Sequence, residues 1–149
     1  MRAVVQRVLR AEVRVADAPV AAMGPGLLAL VGVGPEDDEA DAEDLARRLA
    51  HLRVFTDAAG KMNESLLDRR GTLGVVSQFT LMGDARKGRR PSFVAAAAPA
   101  QAEPLVAHVA ESARALGLEV VTGRFGAHME VTLVNDGPVT LLLDSAKQF

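Results

Sequence analysis

Apolar and polar positions along the first third of the chain follow patterns that predict strands. Met1 to Val8 is an apolar stretch and predicts a first strand. From Ala11 to Val15 apolar residues alternate with charged ones, the two-residue period of a strand with one buried face. The turn signal Gly24-Pro25-Gly26 precedes an apolar run from Leu27 to Val33, which predicts a buried strand.

Two segments have the apolar spacing of a helix instead. Glu36 to Leu52 places its apolar residues on one face, at Ala42, Leu45, Ala46, Leu49 and Leu52. Acidic residues crowd the first turns of this segment and basic residues follow, the polarity that the helix dipole favours. A second helix is predicted between Pro99 and Leu116. Pro104 implies that this helix starts later than Pro99 or is kinked, because proline is tolerated only in a first turn.

The remaining pattern favours strands over helices. Further strands are predicted at Val54–Phe55, Thr72–Leu81, Leu118–Thr122, Glu130–Val134 and Val139–Leu143, with a turn at 57–60, an irregular segment at 61–68 and a polar loop at 83–92. The helices do not alternate regularly with the strands. We therefore expect one α/β domain over residues 1–149, with a mixed, largely antiparallel, barrel-like sheet layered with two main helices (α/β/β).

Length and composition narrow the function classes. A chain of 149 residues is about one domain, on the usual ~100–200 residues per domain. It contains no cysteine, which excludes disulfides, thiolate metal sites and cysteine nucleophiles and fits a reducing cytoplasm. No apolar run approaches the ~18 residues that cross a bilayer, and Met1 to Arg10 lacks the features of a signal peptide. No membrane association is expected.

Charge is nearly balanced, with 17 basic and 19 acidic residues and a net charge of −2, so a general nucleic-acid coat is not expected. The segment Arg86–Arg90 (RKGRR) is nevertheless a basic loop without a carboxylate. Arginine binds phosphate and carboxylate groups in planar, bidentate geometry. The loop is therefore a candidate phosphate contact.

Several common catalytic arrangements are missing from the sequence. His51, His108 and His128 are isolated, so no metal site is expected. Glu130 has no obvious carboxylate partner, and the chain has neither a GxSxG elbow nor a phosphate-binding glycine loop. No cofactor is expected.

The segment Ser77–Leu81 (SQFTL) ends an apolar strand with three polar groups in four positions. Buried polar groups must be satisfied or used. Either these groups bond locally where the strand leaves the core, or hydroxyls and backbone N–H groups line a pocket. In the second case Thr80 is a nucleophile or a hydrogen-bond donor, and N–H groups bind an oxyanion.

The segment Asn135–Thr140 (NDGPVT) also has two interpretations. Asn, Asp, Gly and Pro are all turn residues and predict a hairpin turn. Alternatively the Gly137-Pro138 bond is cis, since an X–Pro bond adopts that form at modest cost. Its two carbonyls would then face a pocket as acceptors and as a rigid wall.

Together these segments resemble the signature pair of the D-aminoacyl-tRNA deacylases, the D-Tyr-tRNA(Tyr) deacylase family. Four further segments resemble this family in the same order along the chain: MRAVVQRV at the start, GKMN at 60–63, RPSF at 90–93 and TGRFGAHM at 122–129. The resemblance covers essentially the whole chain. It implies a homodimer with active sites at the subunit interface.

The resemblance further implies hydrolysis of the ester that joins a D-amino acid, or glycine, to the terminal adenosine of tRNA, including glycine mischarged on tRNA(Ala). The substrate partner is then the CCA end of an aminoacyl-tRNA. The Gly137-Pro138 bond is expected to be cis and to reach into the partner's pocket, where its carbonyls exclude an L-side chain. Glycine has no side chain and should pass.

The resemblance also assigns site residues. It places Ser77, Gln78, Phe79 and Thr80 at the scissile ester, with backbone N–H groups holding the substrate carbonyl. The motif contains no His, Lys or carboxylate to activate Thr80, which favours assistance by the neighbouring ribose hydroxyl of the substrate.

Three more residues are assigned in the same way. Phe125 and Met129 resemble the apolar residues that hold the terminal adenine. Arg7 resembles the residue that orients the Gly-Pro motif in the partner.

Three other functions compete with this one. The first is a deacylase of shifted specificity, for instance one that clears L-alanine from the wrong tRNA. The second is a non-enzymatic module that binds RNA ends or nucleotides. The third is a generic small-ester hydrolase, for which the sequence offers no activated nucleophile.

Overall fold

The computed structural model describes residues 1–148. Within them the strands are β1 (Arg2–Val15), β2 (Ala18–Met23), β3 (Gly26–Gly32), β4 (Phe55–Thr56), β5 (Met62–Glu64), β6 (Thr72–Ser77), β7 (Glu119–Thr122) and β8 (Glu130–Asp144). The helices are α1 (Glu39–His51), the short α2 (Leu66–Arg69) and α3 (Pro99–Ala115), and a 3₁₀ helix spans Phe79–Met82. The α/β class and the two main helices are confirmed.

Six strands form one sheet in the order β2-β1-β3-β6-β7, and β8 pairs with β1 as well. Strand β1 is antiparallel to β2, β3 and β8, whereas β6 is parallel to both β3 and β7. The expectation of a largely antiparallel sheet is therefore wrong, and the sheet is mixed. The reason is topological: a parallel neighbour requires a crossover, and α1 and α3 lie in the two crossovers that precede β6 and β7. Strands β2 and β7 approach one another, so the sheet is nearly closed.

The central strands are buried on both faces. On β3, Leu27, Ala29 and Val31 belong to the larger core cluster, which includes residues of α1 and α3, and Leu28 belongs to a second cluster. Successive side chains of a strand point to opposite faces, so the second cluster occupies the concave side of the curled sheet. The continuous apolar run predicted as a buried strand is explained by this double burial.

Helix α1 begins three residues later than predicted because Asp38 caps it. The Asp38 carboxylate accepts the N–H of Asp41 at 3.2 Å, and the Asp41 carboxylate accepts the N–H of Asp38 at 3.2 Å. This reciprocal pair satisfies two N–H groups that a helix start otherwise leaves unpaired. The predicted apolar face is confirmed, since Ala42, Leu45, Ala46 and Leu49 are all buried.

Helix α3 begins at Pro99 and continues through Pro104. The expectation of a later start is therefore wrong. Proline suits the first helical position, and Pro104 forgoes one intrahelical hydrogen bond in the second turn. The buried residues Leu105, Val109 and Ala113 then anchor the helix against the core.

Two predicted segments have different boundaries. The segment 61–68 was expected to be irregular, which is wrong: it contains β5 and the start of α2, where the Ser65 hydroxyl accepts the N–H of Asp68 at 3.2 Å. The strand expected over Thr72–Leu81 ends at Ser77, and the 3₁₀ helix takes its place. The chain therefore turns away from the sheet inside the SQFTL segment.

The hairpin expected at Asn135–Pro138 is also wrong. Both flanking strands belong to β8 and pair with β1, where Val8 faces Asn135 and Gln6 faces Thr140. One residue of β1, Arg7, therefore stands opposite four residues of β8. The NDGP segment is a large bulge in a continuous strand, and its turn residues supply the extra backbone curvature.

Candidate active site

The SQFTL segment lies where β6 leaves the sheet. The N–H of Gln78 donates to the Val31 carbonyl at 2.7 Å, the last bond to the neighbouring strand β3. The 3₁₀ helix then begins at Phe79, and Phe79 and Thr80 are both exposed. The four predicted residues Ser77 to Thr80 thus form one continuous corner at the surface.

Two backbone N–H groups at this corner have no hydrogen-bond acceptor in the described part of the chain. Among the residues that the structure describes, the amides of Phe79 and Thr80 donate to no protein acceptor, whereas the next amide, that of Leu81, donates to the Gln78 carbonyl at 3.2 Å. The first N–H groups of a helix lack intrahelical partners. Two adjacent, exposed donors of this kind can hold an oxygen atom on which negative charge develops.

The side chain of Gln78 holds the Thr80 hydroxyl. The Gln78 Nε2 donates to Thr80 Oγ1 at 2.5 Å, the sole side-chain bond that Thr80 makes within residues 1–148. Thr80 Oγ1 therefore accepts from an amide and keeps its own proton for donation. A threonine nucleophile needs a base to take that proton, and the amide nitrogen of Gln78 is not one.

A cavity of about 500 Å³ opens beside the corner. Its lining is apolar except for Ser77 and comes from β3 and the residue after it, the end of β6, the 3₁₀ helix, the segment before α3, α3 itself and the loop after β7. The lining residues are Val31, Val33, Ser77, Phe79, Phe93, Ala96, Ala97, Pro99, Ala102, Val106, Phe125, Gly126 and Ala127. Phe79 packs edge-on against Phe93, with ring centroids 5.1 Å apart. An apolar cleft with a few donors at its rim suits a flat, ring-shaped ligand group.

The two residues expected to hold an adenine have different positions. Phe125 lines the cavity, but Met129 is not among its lining residues. Met129 packs against the second core cluster, and its sulfur would be 2.8 Å from a Cβ placed on Gly123. Met129 therefore lies beneath the loop that carries Phe125.

Arg7 is buried on β1 and forms hydrogen bonds with the bulge of its own chain. Its Nε donates to the Asp136 carbonyl at 3.0 Å and lies 3.1 Å from the Asp136 carboxylate. Its Nη1 donates to the Val54 carbonyl, and its guanidinium lies 6.0 Å from the centre of the Phe55 ring. These contacts fix the position of the adjacent Gly137-Pro138 bond, which is cis.

Within one chain the two signature motifs are far apart. Ser77 faces Val31, Val31 faces Ala3, and Ala3 faces Leu143, so Ser77 and β8 are separated by three strand spacings, or about 14 Å. Because of the bulge, Pro138 lies opposite Arg7, which is four residues, or about 14 Å, along β1 from Ala3. Measured along the sheet, the separation is about 20 Å. The Gly137-Pro138 bond of a chain therefore does not reach that chain's own Phe79 and Thr80 amides.

Two residues at these places were not assigned from the sequence. Phe93 closes one side of the cavity, and its signal was present in the RPSF motif. Asp136 bonds Arg7 through both its carbonyl and its carboxylate, but in the sequence it has only the appearance of a turn residue.

Within residues 1–148 no three or more His, Asp or Glu side chains are grouped so that they could hold a metal ion.

Comparison with known proteins places this chain in one family. The sequence model described as D-Tyr-tRNA(Tyr) deacylase matches residues 4–144, so the chain belongs to that family. A D-aminoacyl-tRNA deacylase of Symbiobacterium thermophilum is 59% identical over 149 residues, covering 100% of this chain and 99% of the relative. One from Thermomicrobium roseum is 60% identical over 147 residues, covering 99% of this chain and 96% of the relative.

A solved structure has the same fold. The protein named c-Myc DNA Unwinding Element Binding Protein is 40% identical, with a TM-score of 0.91, and the match covers 97% of this chain and 98% of that one.

Proposed function

We propose that this chain is a D-aminoacyl-tRNA deacylase, which hydrolyses the ester between a D-amino acid and the terminal ribose of tRNA. Family membership and near-complete coverage of relatives with that name support the activity. One structural observation supports the site: the unpaired amides of Phe79 and Thr80 lie beside an apolar cavity. An ester carbonyl at these amides would have its oxygen held as charge develops.

In the proposed reaction the substrate assists its own hydrolysis. Water adds to the ester carbonyl, and the carbonyl oxygen takes the negative charge between the two amides. The C–O bond to the ribose then breaks, and the ribose oxygen leaves with a proton. The vicinal ribose hydroxyl is positioned to relay that proton, so the protein supplies position and charge stabilisation without a nucleophile. The Gln78-bound hydroxyl of Thr80 is consistent with this assignment.

Chiral selectivity in this proposal comes from the Gly137-Pro138 segment of a partner subunit. Its carbonyls and ring form a wall that excludes the side chain of an L-amino acid, so selectivity is rejection rather than attraction. Arg7 holds that wall through Asp136, in the chain that carries the wall. Glycine has no side chain to reject, so glycine mischarged on tRNA(Ala) is a proposed second substrate.

A homodimer is proposed for two reasons. The separation of about 20 Å between the motifs leaves the site of one chain without its wall, and a second copy can supply it. The second half of β8 also exposes apolar side chains on both of its faces. Leu141 and Leu142 point to opposite faces of the strand, and they are 37% and 60% exposed. Exposed apolar residues on an edge strand are typical of a covered interface. Sedimentation at micromolar concentration should give about twice the chain mass, and a monomer would contradict the shared site.

We further propose that the whole chain, residues 1–149, is one deacylase domain that works in the cytoplasm, where aminoacyl-tRNA is used. No helix in the described part of the chain is both long and apolar enough to cross a membrane.

The activity is tested with matched D- and L-aminoacyl-tRNA. We expect cleavage of the D-ester and little cleavage of the L-ester. Comparable cleavage of L-alanyl-tRNA would favour the deacylase of shifted specificity. Cleavage of simple esters without the tRNA preference would favour a generic hydrolase, and binding without cleavage would favour the non-enzymatic module.

A further inference from the structure

A basic loop projects from the rim of the cavity. Its neck is closed by two backbone bonds between Asp84 and Ser92, each 2.8 Å. Phe93, the residue directly after the neck, lines the cavity and packs on Phe79. The seven residues 85–91 between the neck residues are all exposed. The loop is thus anchored to the candidate active site, while its tip extends into solvent.

Of the four basic residues in this loop, one forms an ion pair and three have none with any residue that the structure describes. Arg86 forms two bonds with the Asp84 carboxylate, at 2.9 and 2.7 Å, and these bonds lower the pKa of Asp84 to about 2. Asp84 therefore stays ionised and keeps Arg86 at the neck. Lys87, Arg89 and Arg90 have no ion-pair partner among residues 1–148. The tip presents three uncompensated positive charges on a chain whose net charge is −2.

The geometry points to a phosphate-binding role, and we propose that Lys87, Arg89 and Arg90 hold backbone phosphates of the tRNA acceptor strand. The inference rests on the proposed function. If the terminal nucleoside enters the cavity, the polynucleotide leaves through the cavity mouth beside Phe93, and its next phosphates pass the loop. Phosphate contacts position a nucleic acid without reading its sequence, which suits an enzyme that acts on many tRNAs.

The basic residues of the loop are spread along an exposed tip, which suits an extended polyanion. Exposed Lys and Arg side chains make point contacts with a polyanion, and such contacts are salt-dependent because counterions are released. Each contact changes the logarithm of affinity by about 0.7–0.9 per tenfold change in salt. Two contacts are therefore worth about 25- to 60-fold in affinity between 1 M and 0.1 M salt.

The test compares two double variants with the same charge change. Lys87→Gln/Arg89→Gln removes two free charges of the loop. The control variant Arg47→Gln/Arg69→Gln removes two exposed charges that are already paired. Arg47 pairs with Asp44 on α1, and Arg69 of α2 pairs with Glu64. Each protein is assayed on D-aminoacyl-tRNA from about 0.05 to 1 M salt, and on the phosphate-free ester D-aminoacyl-adenosine.

We expect the loop variant to raise KM for the tRNA about 25- to 60-fold at 0.1 M salt, with kcat unchanged and the difference vanishing near 1 M. The adenosine ester should be cleaved equally by all three proteins. If the loop variant keeps the same KM and salt slope as the control variant, the phosphate-binding role is refuted while the proposed function stands. If the parent cleaves neither ester, the proposed function fails and the loop inference fails with it.

Discussion

Replacing Phe79 by proline tests the proposed role of the backbone amides. Proline has no N–H, so the change removes one of the two donors at the corner. The fold should tolerate it. The Phe79 amide has no partner within residues 1–148, and Phe79 is the first residue of a 3₁₀ helix, whose ordinary φ is close to that of proline. Gln78 before it has φ −147° and ψ 82°, outside the α-helical region that a following proline disfavours.

The control is Phe79→Ala, which removes the same ring but keeps the amide. Both variants lose the edge-on contact with Phe93, worth about 0.5–1.5 kcal/mol beyond burial, and the 59% exposure of Phe79 limits any further loss. The two variants should therefore unfold at similar urea concentrations.

The two variants should differ in catalysis. Loss of one oxyanion donor typically lowers kcat by about 10²- to 10³-fold, or about 2.7–4 kcal/mol. Single-turnover deacylation of D-aminoacyl-tRNA at saturating enzyme measures this rate directly. We expect Phe79→Pro to be slower than Phe79→Ala by that factor. Equal rates in two folded variants would refute the assignment of the Phe79 amide.

Three further changes test the site and the fold. Thr80→Ala should keep kcat within about 10-fold, because within residues 1–148 the Thr80 hydroxyl bonds only Gln78 and has no base beside it. A 2′-deoxy substrate ester should be nearly inert, and a loss in Thr80→Ala as large as that of Phe79→Pro would restore the threonine nucleophile. Arg7→Met leaves two backbone carbonyls without their charged donor, so it should lower the free energy of urea unfolding by about 2–4 kcal/mol. It should also increase L-ester cleavage, and Arg7→Lys should recover both properties in part. Gly26→Ala places a Cβ 1.9 Å from a backbone oxygen of β6 and should lower stability by about 3 kcal/mol or more, whereas Gly24→Ala, with no atom within 4 Å, should stay within about 0.5 kcal/mol.

The local sequence pattern correctly predicted those elements whose position is decided by which side chains are buried. The apolar face of α1 and the run at Leu27–Val33 were predicted because burial alone decides both. The parallel pairing of β6 was not predictable, because strand spacing along a chain does not say which neighbour a strand joins after a helix. Ser65 and Asp68 do form a recognisable capping pair, and this signal marks α2 where an irregular segment was expected.

Long-range contacts decided the rest. Every residue of the NDGP segment favours a turn, yet the chain on both sides of it pairs with β1, and the buried Arg7 fills the gap beneath the bulge. Motif resemblance assigned Ser77 to Thr80 to one site, and their role at the substrate stays a prediction. It could not show that the amides of Phe79 and Thr80 are unpaired, because that depends on the chain turning at Gln78.

Subunit mixing most directly tests the claim that a chiral ester hydrolase is built from two chains. The Phe79→Pro subunits have impaired backbone donors at residues 79 and 80 but an intact Pro138. The Pro138→Gly subunits have intact backbone donors, called live corners here, but lack the proline that would exclude an L-side chain. When Phe79→Pro is in about nine-fold excess and the subunits pair at random as C₂ dimers, about 90% of live corners face a partner subunit that has Pro138. The account predicts that L-ester cleavage per live subunit falls to about a tenth while D-ester cleavage per live subunit is unchanged. L-ester cleavage that stays constant on mixing would mean that each chain carries its own wall, and would contradict the account.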